Sequence, residues 1–135
     1  MTATVPHSDV LLKVLGAPHR TELITSLFRL TEALLERDAT VQIWACGDAT
    51  GLTRASLGMA KPADVTDRAR TFPSTAALAR DLIRKNDGRL RWYVCRFCAR
   101  DRGHAQQIDE VKTRPAARFW EHVTAADQMI VMGVC

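Results

Sequence analysis

Apolar positions along this chain alternate between short unbroken runs and longer stretches that repeat every three to four residues. Val10-Leu11-Leu12-Lys13-Val14-Leu15 is nearly continuous and stops at Gly16-Ala17-Pro18. Such a run suits a strand buried on both faces of a parallel sheet. Leu23, Leu27, Leu30 and Leu34 then recur at helical spacing, widened by Ile24, Phe28 and Leu35. They predict an amphipathic helix opened by Thr21 and ending near Arg37-Asp38. Thr40 to Cys46 is β-branched and apolar and reads as a second strand, with Gly47 to Gly51 as its exit loop. Residues 52–71 predict a short helix near Thr53–Met59 and a polar loop around Pro62. Ser74 caps a helix through Leu78, Leu82 and Ile83, and Gly88 stops it. Leu90 to Cys95 is the third clear strand, followed by a short helix around Cys98–Gln107. Ile108–Lys112 suits a short edge strand, Ala116–Ala126 a helix, and Met129 to Val134 the last strand.

Strands alternating with helices imply parallel crossover units. The expected fold is a single α/β domain over residues 1–135, with a mostly parallel sheet of about five strands and helices on both faces. Residues 1–8 are expected to form a mobile terminus. Apolar residues make up 47% of the chain and charged residues 25%, which places it among ordinary globular domains. No apolar run approaches the roughly 20 residues that cross a bilayer, so no membrane association is expected. The opening residues Met1 to His7 lack the basic and apolar regions of a signal peptide, and a cytoplasmic location follows as the expectation. In that compartment four cysteines read as reduced thiols, a metal site or catalysis rather than a disulfide framework. The net charge of +4 is spread along the chain, and aromatics are few. Direct nucleic-acid binding, which needs a basic stripe and often stacking aromatics, is not expected.

In parallel sheets ligands bind beyond the carboxyl ends of the strands. Those ends carry His19, Cys46, Asp48, Cys95 and Cys135, with Cys98 one turn past Cys95. Only a thiolate is a useful sulfur nucleophile, and cationic neighbours lower the pKa of a thiol. Cys95 opens the basic turn Arg96-Phe97-Cys98-Ala99-Arg100-Asp101-Arg102-Gly103, which makes it the leading candidate. Arg96 and Arg102 supply positive potential beside it. Plainer readings stand next to this one. Cys46 and Cys135 suit small buried hydrophobes. His19 and His104 could tune the thiolate or bind metal and more simply suit exposed loop residues, and His122 suits a helix face. Asp48 either orients a partner cysteine or, more simply, caps a turn.

The segment Val94-Cys95-Arg-Phe-Cys-Ala-Arg-Asp-Arg102-Gly103 resembles the DsrE/TusD-like sulfur-relay family, in which the reactive cysteine follows a strand and precedes a helix ending in Arg-Gly. Gly16-Ala-Pro18, the stretch from Asp38 through Gly47-Asp48, and Ala126-Asp127-Gln-Met-Ile-Val are similar to other parts of that pattern. The resemblance implies a DsrE-like fold and a persulfide carried on Cys95. It also implies sulfur-donor and sulfur-acceptor proteins as partners, a homotrimer or homohexamer, and no cofactor. Cys98 departs from the pattern and makes a Cys-x-x-Cys pair. It could resolve a persulfide, face the core, or join Cys46, Cys95 and Cys135 in a zinc or iron–sulfur site. The alternatives to a carrier are therefore a metal-binding module or a non-catalytic assembly subunit.

Overall fold

The computed structural model describes residues 4–16, 21–62, 66–67 and 69–133. The strand β1 (Ser8–Val14) leads to helix α1 (Thr21–Glu36) and strand β2 (Val41–Ala45). A 3₁₀ turn (Gly47–Thr53) and a second one (Ala55–Leu57) follow, then β3 (Ala60–Pro62), β4 (Thr71–Pro73) and α2 (Thr75–Lys85). The chain continues through β5 (Leu90–Cys95), α3 (Arg96–Asp101) and β6 (Lys112–Arg114). A 3₁₀ turn (Ala116–Arg118), α4 (Phe119–Thr124) and β7 (Ala126–Met132) complete it. Five strands form one sheet in the order β6-β5-β2-β1-β7, and every neighbouring pair is parallel. This is the α/β architecture that the alternating pattern implied.

The nearly continuous apolar runs became the three central strands, where both faces are covered. All five residues of β2 are buried. One face carries Leu12, Val14, Ile43, Trp92 and Val94, packed with Leu27 and Leu35 of α1 and Ala76, Ala79 and Ile83 of α2. The opposite face carries Leu11, Trp44, Tyr93 and Cys95, against which Phe119 and Val123 of α4 pack. From β1 the chain adds strands outward on one side to β6, and then returns through α4 to place β7 beside β1. That return is why a single short helix lies over the second face.

Gln42 is the polar exception in β2. It is buried beside His122, its Nε2 donating to the His122 carbonyl at 2.8 Å and its Oε1 3.0 Å from His122 Nδ1. Paired at both ends, a buried amide is tolerated in the core. His122, expected on an open helix face, is fully buried between Trp44 and Tyr93, with ring centroids 4.9 and 4.4 Å away.

Several boundaries differ from expectation. β1 opens at Ser8, which is buried, and His7 bonds Asp127 at 3.0 Å, so the supposedly mobile stretch is tied down from His7 onward. Around Pro62 an antiparallel β3–β4 hairpin stands where a polar loop was expected. The edge strand lies at Lys112–Arg114 rather than 108–112, because its pairing with Tyr93–Cys95 sets its place while Ile108 and Val111 turn into the core. α3 begins at Arg96, directly after Cys95. Ser74 does cap α2, its Oγ accepting from Ala77 N at 3.0 Å.

Candidate functional site

Register brings the thiols together. Ala45 of β2 pairs with Val94 of β5, so Cys46 and Cys95 leave the sheet side by side. Each lies two residues after an aromatic of the second face, Trp44 and Tyr93, and period-two alternation turns both toward that face. Cys95 is the N-cap residue of α3, and Cys98, in its first turn, packs against the same cluster. The sulfur atoms of Cys46, Cys95 and Cys98 all lie within 4.8 Å of one another. Cys95 is only 2% exposed, whereas Cys46 and Cys98 are half-buried.

The three thiols are not equivalent. Burial pushes Cys46 up to about 11, and its sulfur neighbours push it the same way. The Trp44 indole N–H, donating to Cys46 Sγ at 3.2 Å, and the Lys13 ammonium pull it down, without overcoming burial. Cys46 is thus a protonated thiol at neutral pH, with its sulfur lone pair oriented by Trp44. Lys13 itself lies 4.7 Å above the Phe119 ring, which puts a cation on this face of the sheet.

The supporting residues take different places. Arg96 is exposed and lines a surface hollow along α3. Arg102 Nε donates to Asp48 Oδ1 at 2.7 Å, and Arg102 also reaches Asp101 at 3.4 Å. Asp48 therefore fastens α3 to the turn after β2 and is not its cap. The N-cap position there is Cys46, which makes no side-chain capping bond. His19 and Cys135 lie outside the described residues.

His104, expected as an exposed loop residue, is half-buried and engaged. Its Nδ1 lies 3.0 Å from Thr50 Oγ1 and its Nε2 3.3 Å from Arg54. Thr50 Oγ1 already donates to the Gly47 carbonyl, so it accepts from His104 Nδ1–H, and Nε2 accepts from Arg54. Burial, followed by the Arg54 charge, holds this imidazole below the usual histidine range. Gly51 makes the approach possible: a Cβ there would come within 2.8 Å of His104 Cε1. Gln107 completes the clamp by donating to the Thr50 and His104 carbonyls. Together these bonds hold the exit loop of β2, and with it Cys46, against the segment after α3. None of this carries a local sequence signal except the glycine at position 51.

A second group of candidate metal ligands, His7, Asp9 and Asp127, sits at the opposite rim. Asp9 is committed to the Thr40 amide and hydroxyl there, and His7 and Asp127 are open to solvent.

Among solved structures, the YchN protein from E. coli is similar to this chain with a TM-score of 0.71. The match covers 92% of this chain and 98% of that one at 20% identity. The likeness shows a shared DsrE-like α/β fold. No protein-family model and no curated protein matches the sequence.

Proposed function

We propose that this chain is a sulfur carrier. Cys95 accepts a sulfane sulfur as a persulfide and passes it to a cysteine of a partner protein, and Cys98 assists. The observation that supports this reading best is the convergence of three thiols at the carboxyl rim, one of them buried. In loading, the Cys95 thiolate attacks the outer sulfur of a donor persulfide. A new S–S bond forms, the donor S–S bond breaks, and the donor leaves as a thiolate. Discharge repeats the step with an acceptor thiolate, so no net oxidant is required. Burial of Cys95 shields the stored sulfur from stray reductants, while Cys98, half-exposed and within 4.8 Å of it, stays in reach of solvent. The fold shared with YchN agrees with the resemblance of the Cys95 segment to sulfur-relay proteins.

Loading purified protein with polysulfide and mapping the added sulfur by peptide mass tests this. Cys95→Ser should abolish transfer and Cys98→Ser should slow it. Sulfur loading that survives Cys95→Ser unchanged refutes Cys95 as the acceptor, and no loading of the wild type leaves an assembly subunit as the better description.

A metal centre is the second reading, favoured by the same sulfur distances. Zinc–sulfur bonds of about 2.3 Å place tetrahedral sulfurs roughly 3.8 Å apart, so the triad would need only a small contraction. Zinc would have to displace the Cys46 proton, which makes its affinity pH-dependent. Stoichiometric zinc or iron in anaerobically purified protein selects this reading.

We also propose a closed homo-oligomer, a trimer or hexamer, acting in the cytoplasm. Trp120 is 71% exposed, and Met129, Ile130 and Val131 of edge strand β7 are exposed as well, an apolar display that suits an interface. Among the described residues no helix is long and apolar enough to cross a membrane.

A further inference from the structure

Between α3 and the Pro115–Ala116 turn lies a hollow of about 460 Å3, within the size range of small-molecule sites. Arg96 and Arg100 stand four residues apart on one side of α3, and both are exposed. Neither guanidinium makes an ion pair or hydrogen bond among the described residues. Phe97 (70% exposed), Pro115 and Ala116 form an apolar wall, and Asp101 closes the lining. The same two arginines flank a neighbouring hollow of about 300 Å3 toward Gln106 and Thr113. Two unpaired guanidiniums raised side by side over an apolar floor favour a ligand with two carboxylates, since each guanidinium can grip one in a two-pronged bond. One oxygen of Asp101 faces Arg102 at 3.4 Å; the carboxylate still supplies negative charge at the end of the hollow.

The place matters as much as the charge. Arg96 follows Cys95 directly and Phe97 precedes Cys98, so two residues that line the hollow are chain neighbours of the two thiols. A tripeptide spans roughly 10 Å when extended. That length is comparable to α3 itself, six residues at about 1.5 Å each, so a ligand held on Arg96 and Arg100 extends along the helix that carries Cys98 and is capped by Cys95.

We propose that this hollow binds a small peptide-like thiol with two carboxylates and one ammonium group, the class of glutathione and its persulfide, as the sulfur donor of the carrier. The inference rests on the carrier reading and adds the chemical identity of the donor. Bound there, the donor persulfide is attacked at its outer sulfur by the Cys95 thiolate, the loading step given above, with the Cys98 sulfur within 4.8 Å to assist. The donor departs as a thiolate.

S-methylglutathione, which keeps both carboxylates and the ammonium group and cannot transfer a sulfane sulfur, separates binding from chemistry. The wild-type protein should bind it in calorimetry, more weakly as salt rises, and Arg96→Ala/Arg100→Ala should weaken binding about tenfold or more. Wild-type loading should favour glutathione persulfide over the persulfide of 2-mercaptoethanol, which carries no carboxylate, and the double substitution should bring that ratio close to one. No binding at millimolar S-methylglutathione, or equal binding by the variant, overturns the proposal even if Cys95 still loads from polysulfide. Binding without any sulfur on Cys95 leaves the hollow standing and refutes the carrier reading instead.

Discussion

His122 should make this fold acid-sensitive by a definable amount. Its imidazole is fully buried between Trp44 and Tyr93, and Nε2 has no partner among the described residues. Gln42 Nε2 donates to the His122 carbonyl, so Gln42 Oε1 is left to accept from His122 Nδ1–H, and Nε2 is the bare nitrogen. Burial first, then the Arg114 charge, hold the ring at about 4; Glu121 opposes them, and Arg118 adds a smaller push in the same direction as Arg114. In the unfolded chain the same ring titrates near 6.5. Between those values the unfolded state takes up a proton that the folded state refuses. Stability from this group is therefore complete above about pH 6.5, falls as the pH is lowered, and is lost by about pH 4. A gap near 2.5 units corresponds to about 3 kcal/mol as an upper figure. Urea unfolding followed by tryptophan fluorescence at pH 7.5 and pH 4.5 measures it. His122→Phe keeps an aromatic ring between Trp44 and Tyr93 but strands Gln42 Oε1, at a cost of about 1–3 kcal/mol at pH 7.5. That variant should lose clearly less stability on acidification than the wild type. His7, raised by its bond to Asp127, and His104, lowered by burial, are present in both proteins and cancel in the difference. Identical losses in the two proteins would refute the assignment.

Other outcomes follow from the site and its surroundings. Gly51→Ala should cost about 1–3 kcal/mol in denaturant unfolding by driving a methyl into His104, and His104→Ala in the same chain should recover part of it. Additive losses would show that the two do not touch. Alkylation of Cys46 by iodoacetamide should still be accelerating at pH 10, and Trp44→Phe should slow it further by removing the indole donor; a plateau by pH 8 contradicts the assigned protonation. Light scattering should give a trimer or hexamer mass, and Trp120→Glu or Val131→Glu should lower it; a wild-type monomer at micromolar concentration rules out the assembly.

The central strands were legible because burial on both faces leaves runs that are almost wholly apolar, as in Leu90–Cys95, where Arg91 is the one charged residue. The α2 helix was legible because Ser74 and Gly88 mark its ends chemically. The hairpin at 60–62 and 71–73 was not, since three-residue strands, with Thr71–Pro73 exposed throughout, carry no alternation. For the site, Cys95 announced itself through its basic turn, whereas Cys46 looked like a core residue. Its meeting with Cys95 depends on β2 lying beside β5 in one particular register, which no local window of sequence contains. Gln42 and His122 were missed for the same reason: each is an anomaly alone and is satisfied only by a residue on a distant element.

The pairing of β1 with β7 runs from Ser8 against Ala126 to Val14 against Met132, and so joins nearly opposite ends of the chain. Closing so long a loop is entropically slow, and contacts of this range retard folding. Leu11, Trp44 and Tyr93 sit on the central strands, whereas Phe119 and Val123, which pack over them, come later in the chain. A chain in which only β1, β2 and β5 have paired therefore leaves Trp44 and Tyr93 bare on that face, with Cys46 and Cys95 beside them. In that interval the thiols are open to oxidation or premature metal capture.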